Sequence, residues 1–249
     1  MHSWEFLMIN FVMIDLDDTL IPNAYTYWIP KLDALKIMAV ELMWKAPSPA
    51  IIMQRALEFQ LADIKSKGCI SKTCFAESYM QVYKDICAEI GTTPRDAVSS
   101  AIFVSCSKYF LEKYSLFGNV KETLTAIKQP KICVTRGDYD IQMYKITNTK
   151  LDHYFDSIEI VDLKTEDTYA NLIKKYDLKP EETVMIGDSL MNDIKPAMAA
   201  GLSGIHVTSY SEQIGEWENS HVEDNLTLLK LEPRYTQIKT FAEVLKYLD

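Results

Sequence analysis

The chain reads as an α/β protein: a parallel β-sheet with helices on both faces, into which a helical module is inserted. Three observations predict this. Short apolar runs alternate with amphipathic segments of helical length, the pattern of β-α-β units. The runs are apolar throughout instead of alternating with polar residues, as strands buried on both faces are. Between the first run and the second lies a long stretch with helical periodicity and no strong strand signal.

Phe11–Ile14 is the first strand, ended by Asp15. Residues 23–115 follow with four amphipathic stretches, Pro30–Trp44, Ala50–Lys67, Lys72–Ile90 and Arg95–Tyr114. Pro47 and Pro49, Gly68, and the Gly91-Thr92-Thr93-Pro94 turn separate them. The alternating pattern then resumes. Its helices are Val120–Lys128, Tyr139–Asn148, Thr168–Tyr176 and Leu190–Ala200, and its strands are Ile132–Val134, Ile158–Val161, Val184–Ile186 and Gly204–Val207. Asn225–Leu231 is assigned to an edge strand and Thr240–Leu248 to a closing helix. Residues 1–22 and 116–249 thus form a Rossmann-like core, and residues 23–115 a helical module. Ligands of such sheets gather outside the carboxyl ends of the strands. Asp15, Thr135 and Asp188 each follow a strand closely, so they converge at that edge.

The totals narrow the function. The 249 residues are 48% hydrophobic and 24% charged, as in ordinary folded soluble proteins. A formal net charge of −9 argues against binding nucleic-acid polymers or anionic membranes. The five cysteines, Cys69, Cys74, Cys87, Cys106 and Cys133, form no CxxC pair and have no neighbouring histidine cluster. They read as buried free thiols of a reducing compartment. The apolar stretch from Phe6 to Ile14 lacks a basic leader and a small-residue cleavage site, and no run reaches the roughly 18–20 apolar residues of a membrane helix. The expected location is cytoplasmic.

Chemistry concentrates at the strand ends. Asp15 and Asp17 lie two apart on extended backbone, so their carboxylates share one small space. Such a pair raises the pKa of its members unless a cation or a proton resolves the repulsion. A helix cap or a polar turn is the bland alternative for an isolated acidic pair. Thr135-Arg136-Gly137 ends the second core strand, where a hydroxyl and backbone N–H groups can bind a phosphate oxygen. Arg136 has two readings: a bidentate fork for the substrate phosphate or a second anion, or a surface pair with Asp138 or Asp140. Lys164, at the strand edge, can neutralise a crowd of carboxylates or a phosphate, though taken singly it reads as a solvated surface lysine. Gly187-Asp188-Ser189 opens a helix that Ser189 can cap, with Asp193 in its first turn. Capping leaves Asp188 unexplained as a third carboxylate beside two others. The histidines, His2, His153, His206 and His221, lack metal-ligand spacing, and His206 is read as strand packing. Tyr25, Tyr27 and Trp28 are read as hinge and packing residues.

With these residues in this order the chain resembles the haloacid dehalogenase superfamily, and within it the metal-dependent phosphatases. The resemblance rests on Asp15-Leu16-Asp17-Asp18-Thr19, Thr135, Lys164, and Gly187-Asp188 through Asp193. It implies that the helical module is a cap domain. It implies that Asp15 attacks phosphorus to give an aspartyl-phosphate, and that Asp17 protonates the leaving oxygen and then activates water. It implies that Thr135 hydrogen-bonds the transferring phosphoryl group and that Lys164 offsets the charge of nucleophile and phosphate. Mg²⁺ is implied as cofactor, on Asp15, the backbone carbonyl of Asp17 and Asp188, supported by Asp193.

The substrate class implied is a small phosphorylated metabolite. Asp17 disfavours dehalogenation, which proceeds without an acid at that position. Asp18 stands where phosphosugar mutases of the family often carry glycine, which tilts the reading towards hydrolysis. Phosphonate cleavage would call for a Schiff-base lysine in the module, where Lys31, Lys36 and Lys45 are candidates. A mutase and a noncatalytic phosphate-binding protein of the same fold are the alternatives. The individual metabolite and the oligomeric state are left open.

Overall fold

Among the described residues six parallel strands form one sheet in the order β3-β2-β1-β4-β5-β6. They are β1 Phe11–Ile14, β2 Lys131–Arg136, β3 Ser157–Val161, β4 Thr183–Gly187, β5 Ser203–Val207 and β6 Tyr235–Ile238. The structure, a computed structural model, describes residues 8–67, 73–108, 113–208 and 232–248.

Alternation of side chains explains why the central strands carry continuous apolar runs. Val12 and Ile14 of β1 join Cys133, Val184 and Ile186 in a cluster on one face, closed by Leu124, Ile146 and Val244. Met13 points the other way and packs with Ile132, Val134 and Met185 under Tyr169 and Leu172. β1 pairs with β2 on one side and β4 on the other, Met13 standing opposite both Ile132 and Met185. Strand order therefore reverses at β1, and β1 and β4 flank the topological switch point where such sheets bind ligands.

The helices that follow are α1 Asn23–Thr26, α2 Trp28–Leu42, α3 Pro49–Lys67, α4 Cys74–Glu89, α5 Asp96–Ser107, α6 Val120–Ala126, α7 Tyr139–Thr149, α8 Glu166–Lys175, α9 Lys195–Ala199 and α10 Leu245–Leu248. The residues divide into two compact units, Met1–Pro22 with Tyr114–Asp249, and Asn23–Lys113. Among its described residues the second unit is helical, with a core of Ala34, Met38, Ile52, Tyr79, Ile86 and Ile102. Tyr114, assigned on sequence to the helical module, instead joins the core cluster of the sheet unit. There its backbone N–H meets the Asn148 side chain at 3.3 Å. Within the sheet unit, the Phe117 N–H donates to the Leu20 carbonyl at 2.9 Å, tying the departing chain to the returning one.

Asn225–Leu231 lies outside the described residues; among those described, β6 lies beside β5, Tyr235 standing opposite Gly204. Two elements differ from the sequence reading. The Leu190–Ala200 helix divides into a π-helical turn, Leu190–Ile194, and α9. The closing helix begins as a 3₁₀ turn, Phe241–Val244. Cys74, Cys87, Cys106 and Cys133 are buried free thiols; Cys69 is outside the described residues. No helix among the described residues is long and apolar enough to cross a membrane.

Candidate active site

Asp15 leaves β1 with its N–H on the Ile186 carbonyl at 2.9 Å, one step beyond the β1–β4 ladder. Its carboxylate is buried. Oδ1 accepts from Lys164 Nζ at 2.5 Å and Oδ2 from Thr19 Oγ1 at 2.9 Å. Lys164 comes from the loop between β3 and α8, and the same ammonium donates to Asp193 Oδ1 at 2.5 Å. It is buried with both its partners. Burial alone would discharge this lysine, but Asp15 and Asp193 outweigh that and hold its ammonium well above the usual lysine range. The surface reading that a lone lysine at this position invites is thereby corrected.

The end of β4 supplies the other carboxylates. Asp193 sits on the π-helical turn, a form of helix that often marks functional sites. Ser189 starts that turn, its hydroxyl accepting from the Asn192 N–H at 3.2 Å while its own N–H donates to Asp193 Oδ2 at 3.0 Å. Gly187 makes room for this: a Cβ there would stand 2.5 Å from the Asp193 carboxylate. Asp188 is tied to the first loop through Thr19, whose hydroxyl accepts from the Asp188 N–H at 3.0 Å and lies 3.3 Å from Asp188 Oδ1. His206 Nε2 donates to the Asp188 carbonyl at 2.8 Å, and Nδ1 faces the Tyr235 hydroxyl at 3.1 Å.

Asp15, Asp188 and Asp193 can each offer one oxygen within 4.8 Å of the others'. One ammonium faces two of these three carboxylates, so negative charge is in excess. Burial, with the Asp193 charge adding to it, pushes the Asp15 carboxyl up to about 7 against the pull of Lys164. Burial and then the Asp15 and Asp193 charges raise Asp188 well above the usual carboxylate range. Surplus charge on hard oxygen donors fits a divalent cation such as Mg²⁺.

A second group surrounds Asp17, which lies in a tight loop where Asp18 adopts a left-handed backbone with φ 60°. Both Asp17 carboxylate oxygens accept from Lys145 Nζ at 2.8 Å, and Oδ2 also accepts from Gln142 Nε2 at 2.9 Å. The Gln142 amide reaches Thr135 Oγ1 at 2.5 Å and the Arg136 carbonyl at 3.0 Å. Thr135 is buried at the end of β2. Gly137, with φ 146°, turns the chain so that Gln142 can pack against it. Asp138 caps α7, accepting from the Asp140 and Ile141 N–H groups, and is no partner of Arg136. Arg136 instead donates to Asn192 Oδ1 at 3.0 Å.

Of the residues singled out in the sequence, Asp15, Lys164, Asp188 and Asp193 thus come together directly, and Asp17 and Thr135 meet through Gln142. Lys145, Gln142, Thr19 and the His206–Tyr235 pair were not assigned site roles. One signal was available for two of them. On α7 the buried positions are Gln142, Lys145, Ile146 and Thr149, a helical stripe in which polar residues occupy an inward face.

Residues 9–201 match the family of haloacid dehalogenase-like hydrolases. The chain belongs to that family. Human N-acylneuraminate-9-phosphatase is 26% identical to this hydrolase over 202 residues, spanning 77% of this chain and 79% of that protein. Glyceraldehyde 3-phosphate phosphatase of Methanopyrus kandleri is 22% identical over 209 residues, or 80% and 84% of the two. Among solved structures, a haloacid dehalogenase-like family hydrolase from Xanthomonas campestris superposes with a TM-score of 0.76 at 22% identity, covering 97% of this chain and 92% of that one.

Proposed function

We propose that this hydrolase is a Mg²⁺-dependent phosphatase acting on a small phosphorylated metabolite through an aspartyl-phosphate. The observation that carries the reading is the buried Asp15 carboxylate, paired with Lys164 beside Asp188 and Asp193, with a second carboxylate two residues on. The phosphatase names of relatives that span most of the chain support the same reaction class.

In the first half-reaction an Asp15 oxygen forms a bond to phosphorus, the bond from phosphorus to the leaving oxygen breaks, and a proton on Asp17 passes to that oxygen. In the second, Asp17 takes a proton from water as the water oxygen attacks phosphorus. The bond to Asp15 breaks and inorganic phosphate leaves. Thr135 donates its hydroxyl hydrogen to a phosphoryl oxygen, whereas the Gly137 N–H is already taken by the Val161 carbonyl at 3.1 Å, and Lys164 neutralises charge on Asp15 and the phosphoryl group. A divalent cation held by Asp15, Asp188 and Asp193, with the Asp17 backbone carbonyl, supplies further charge neutralisation when bound. Arg136, on the same strand end, releases Asn192 to recognise a substrate anion. The helical unit, inserted directly after the Asp15–Ile21 loop, acts as the cap that selects the leaving group.

The test is turnover of p-nitrophenyl phosphate, followed by a screen of phosphorylated metabolites. Activity is expected to vanish in EDTA, return with Mg²⁺, and be absent from Asp15→Asn. Steady hydrolysis by clean Asp15→Asn protein would sink the covalent route, and full activity after rigorous chelation the metal dependence.

A further inference from the structure

Lys145 is a lysine with no place in the reaction so far. It lies on α7, is 2% exposed, and has its ammonium over the Tyr114 ring at 5.7 Å. Among the described residues its ion-pair partner is Asp17, whose side chain is 21% exposed. The buried member of the pair is therefore the cation, and the more exposed member is the carboxylate. Burying an ammonium this deeply carries a desolvation cost that one pair with a partly exposed carboxylate does not clearly repay in stability. An anchor for a reacting carboxylate accounts for the arrangement.

The donors are also unevenly shared. Asp17 Oδ2 accepts from both Lys145 and Gln142, whereas Oδ1 accepts from Lys145 alone among the described residues. Oδ1 thus keeps a lone pair open. The Gln142 nitrogen faces the Asp17 carboxylate and the Arg136 carbonyl, which can only accept, so the amide orientation is settled by its neighbours. That nitrogen shares two hydrogens among three oxygens and accepts none, so the Thr135 hydroxyl hydrogen is turned away from it.

We propose that Lys145 and Gln142 are positioning residues for the phosphatase reaction: together they orient Asp17 so that Oδ1 exchanges the proton with the leaving oxygen, while Gln142 turns the Thr135 hydroxyl to donate to the phosphoryl group. This rests on the assignment of Asp17 as acid and base. Neither residue touches the reacting atoms. Their effect is confined to the proton step and to phosphoryl binding.

The experiment uses the Mg²⁺-loaded full chain and a series of aryl phosphates running from p-nitrophenyl to phenyl phosphate. kcat/KM reads the steps up to phosphoryl transfer, so a missing acid hurts the poorer leaving group more. Asp17→Asn should steepen the dependence on leaving group. Lys145→Met should steepen it in parallel, its loss on phenyl phosphate exceeding that on p-nitrophenyl phosphate by about tenfold or more. Lys145→Arg should restore most of the difference. Adding Lys145→Met to Asp17→Asn should cost less than about twofold more, since residues acting as one unit are not additive.

Equal losses on all esters, or additive losses in the double variant, would overturn the proposal while leaving the assignment of Asp17 intact. An unsteepened Asp17→Asn would remove the assignment and the proposal with it. Gln142→Met leaves the buried ion pair in place and covers the case in which Lys145→Met does not fold. It should steepen the dependence in the same direction and raise KM, and a uniform fall in kcat alone would count against the proposal.

Discussion

Gly187 and Asp193 occupy one space: a Cβ on the glycine would stand 2.5 Å from the aspartate carboxylate. The end of β4 and the π-helical turn can approach this closely only because residue 187 has no side chain. That approach brings Asp193 Oδ1 to Lys164 and Oδ2 to the Ser189 N–H.

Gly187→Ala should therefore act through Asp193. The carboxylate has to move, and it moves away from Lys164. A displacement on the ångström scale at a reacting centre costs about 10²-fold in rate, and that is the fall expected in kcat. The control is Gly118→Ala, where an added Cβ meets nothing within 4 Å. It should leave melting temperature and turnover close to those of the wild type.

Lys164→Met removes the ammonium that Asp15 and Asp193 share. Taking one partner from a buried pair leaves uncompensated charge and costs about 3–5 kcal/mol. Denaturant melts in EDTA should register a loss of that size. Because ligand binding to the folded state adds stability, saturating Mg²⁺ should recover part of it, and turnover should stay depressed. A melt in EDTA matching the wild type would contradict the shared-cation account.

Legibility of the chain followed the range over which its interactions act. β1 and β4 could be read because burial on both faces forces consecutive apolar residues, and Asp15 and Asp188 could be read because each interrupts such a run. Their convergence followed from the parallel topology. Lys145 and Gln142 were hidden by distance: they meet Asp17 across 128 and 125 positions, and no local pattern links a loop residue to an inward polar face that far along. The π-helical turn escaped for a different reason. Leu190–Ala200 has ordinary helical periodicity, and its extra residue per turn depends on the Ser189 and Asp193 contacts at its start. Tyr114 was assigned to the module because it continued an amphipathic stretch, whereas its packing lies with the sheet.

The pH dependence of stability has a definite sign at Asp15. Its carboxyl is raised from 3.8 to about 7, with burial as the leading cause. The folded protein thus holds this proton more tightly than the unfolded chain. The contribution of Asp15 is fully present below about pH 4 and is lost as pH rises towards 7. At about 1.36 kcal/mol per pKa unit the change amounts to a few kcal/mol. Subtracting the metal-free stability curve of Asp15→Asn from that of the wild type isolates it. The difference should fall between about pH 4 and 7 and level off above. A difference that rises with pH over this window would show that Lys164 dominates burial at Asp15.

The last prediction concerns His206 and Tyr235, which stand behind Asp188. A carbonyl only accepts, so the bond to the Asp188 oxygen places the imidazole hydrogen on Nε2. Nδ1 is then the acceptor for the Tyr235 hydroxyl. Burial lowers the histidine's pKa, which favours this neutral form. The two side chains brace the backbone of Asp188 from β5 and β6. Loss of such outer supports typically weakens metal binding or activity by about 10–100-fold. His206→Leu should accordingly raise the Mg²⁺ dissociation constant, read by titration calorimetry, by about tenfold. Tyr235→Phe, which removes one hydroxyl and leaves Nδ1 without its donor, should raise it less. At saturating Mg²⁺ the KM for p-nitrophenyl phosphate should change little in either variant, because neither residue lies at the Thr135 end of the site. An unchanged Mg²⁺ affinity in His206→Leu would reduce the pair to packing between β5 and β6.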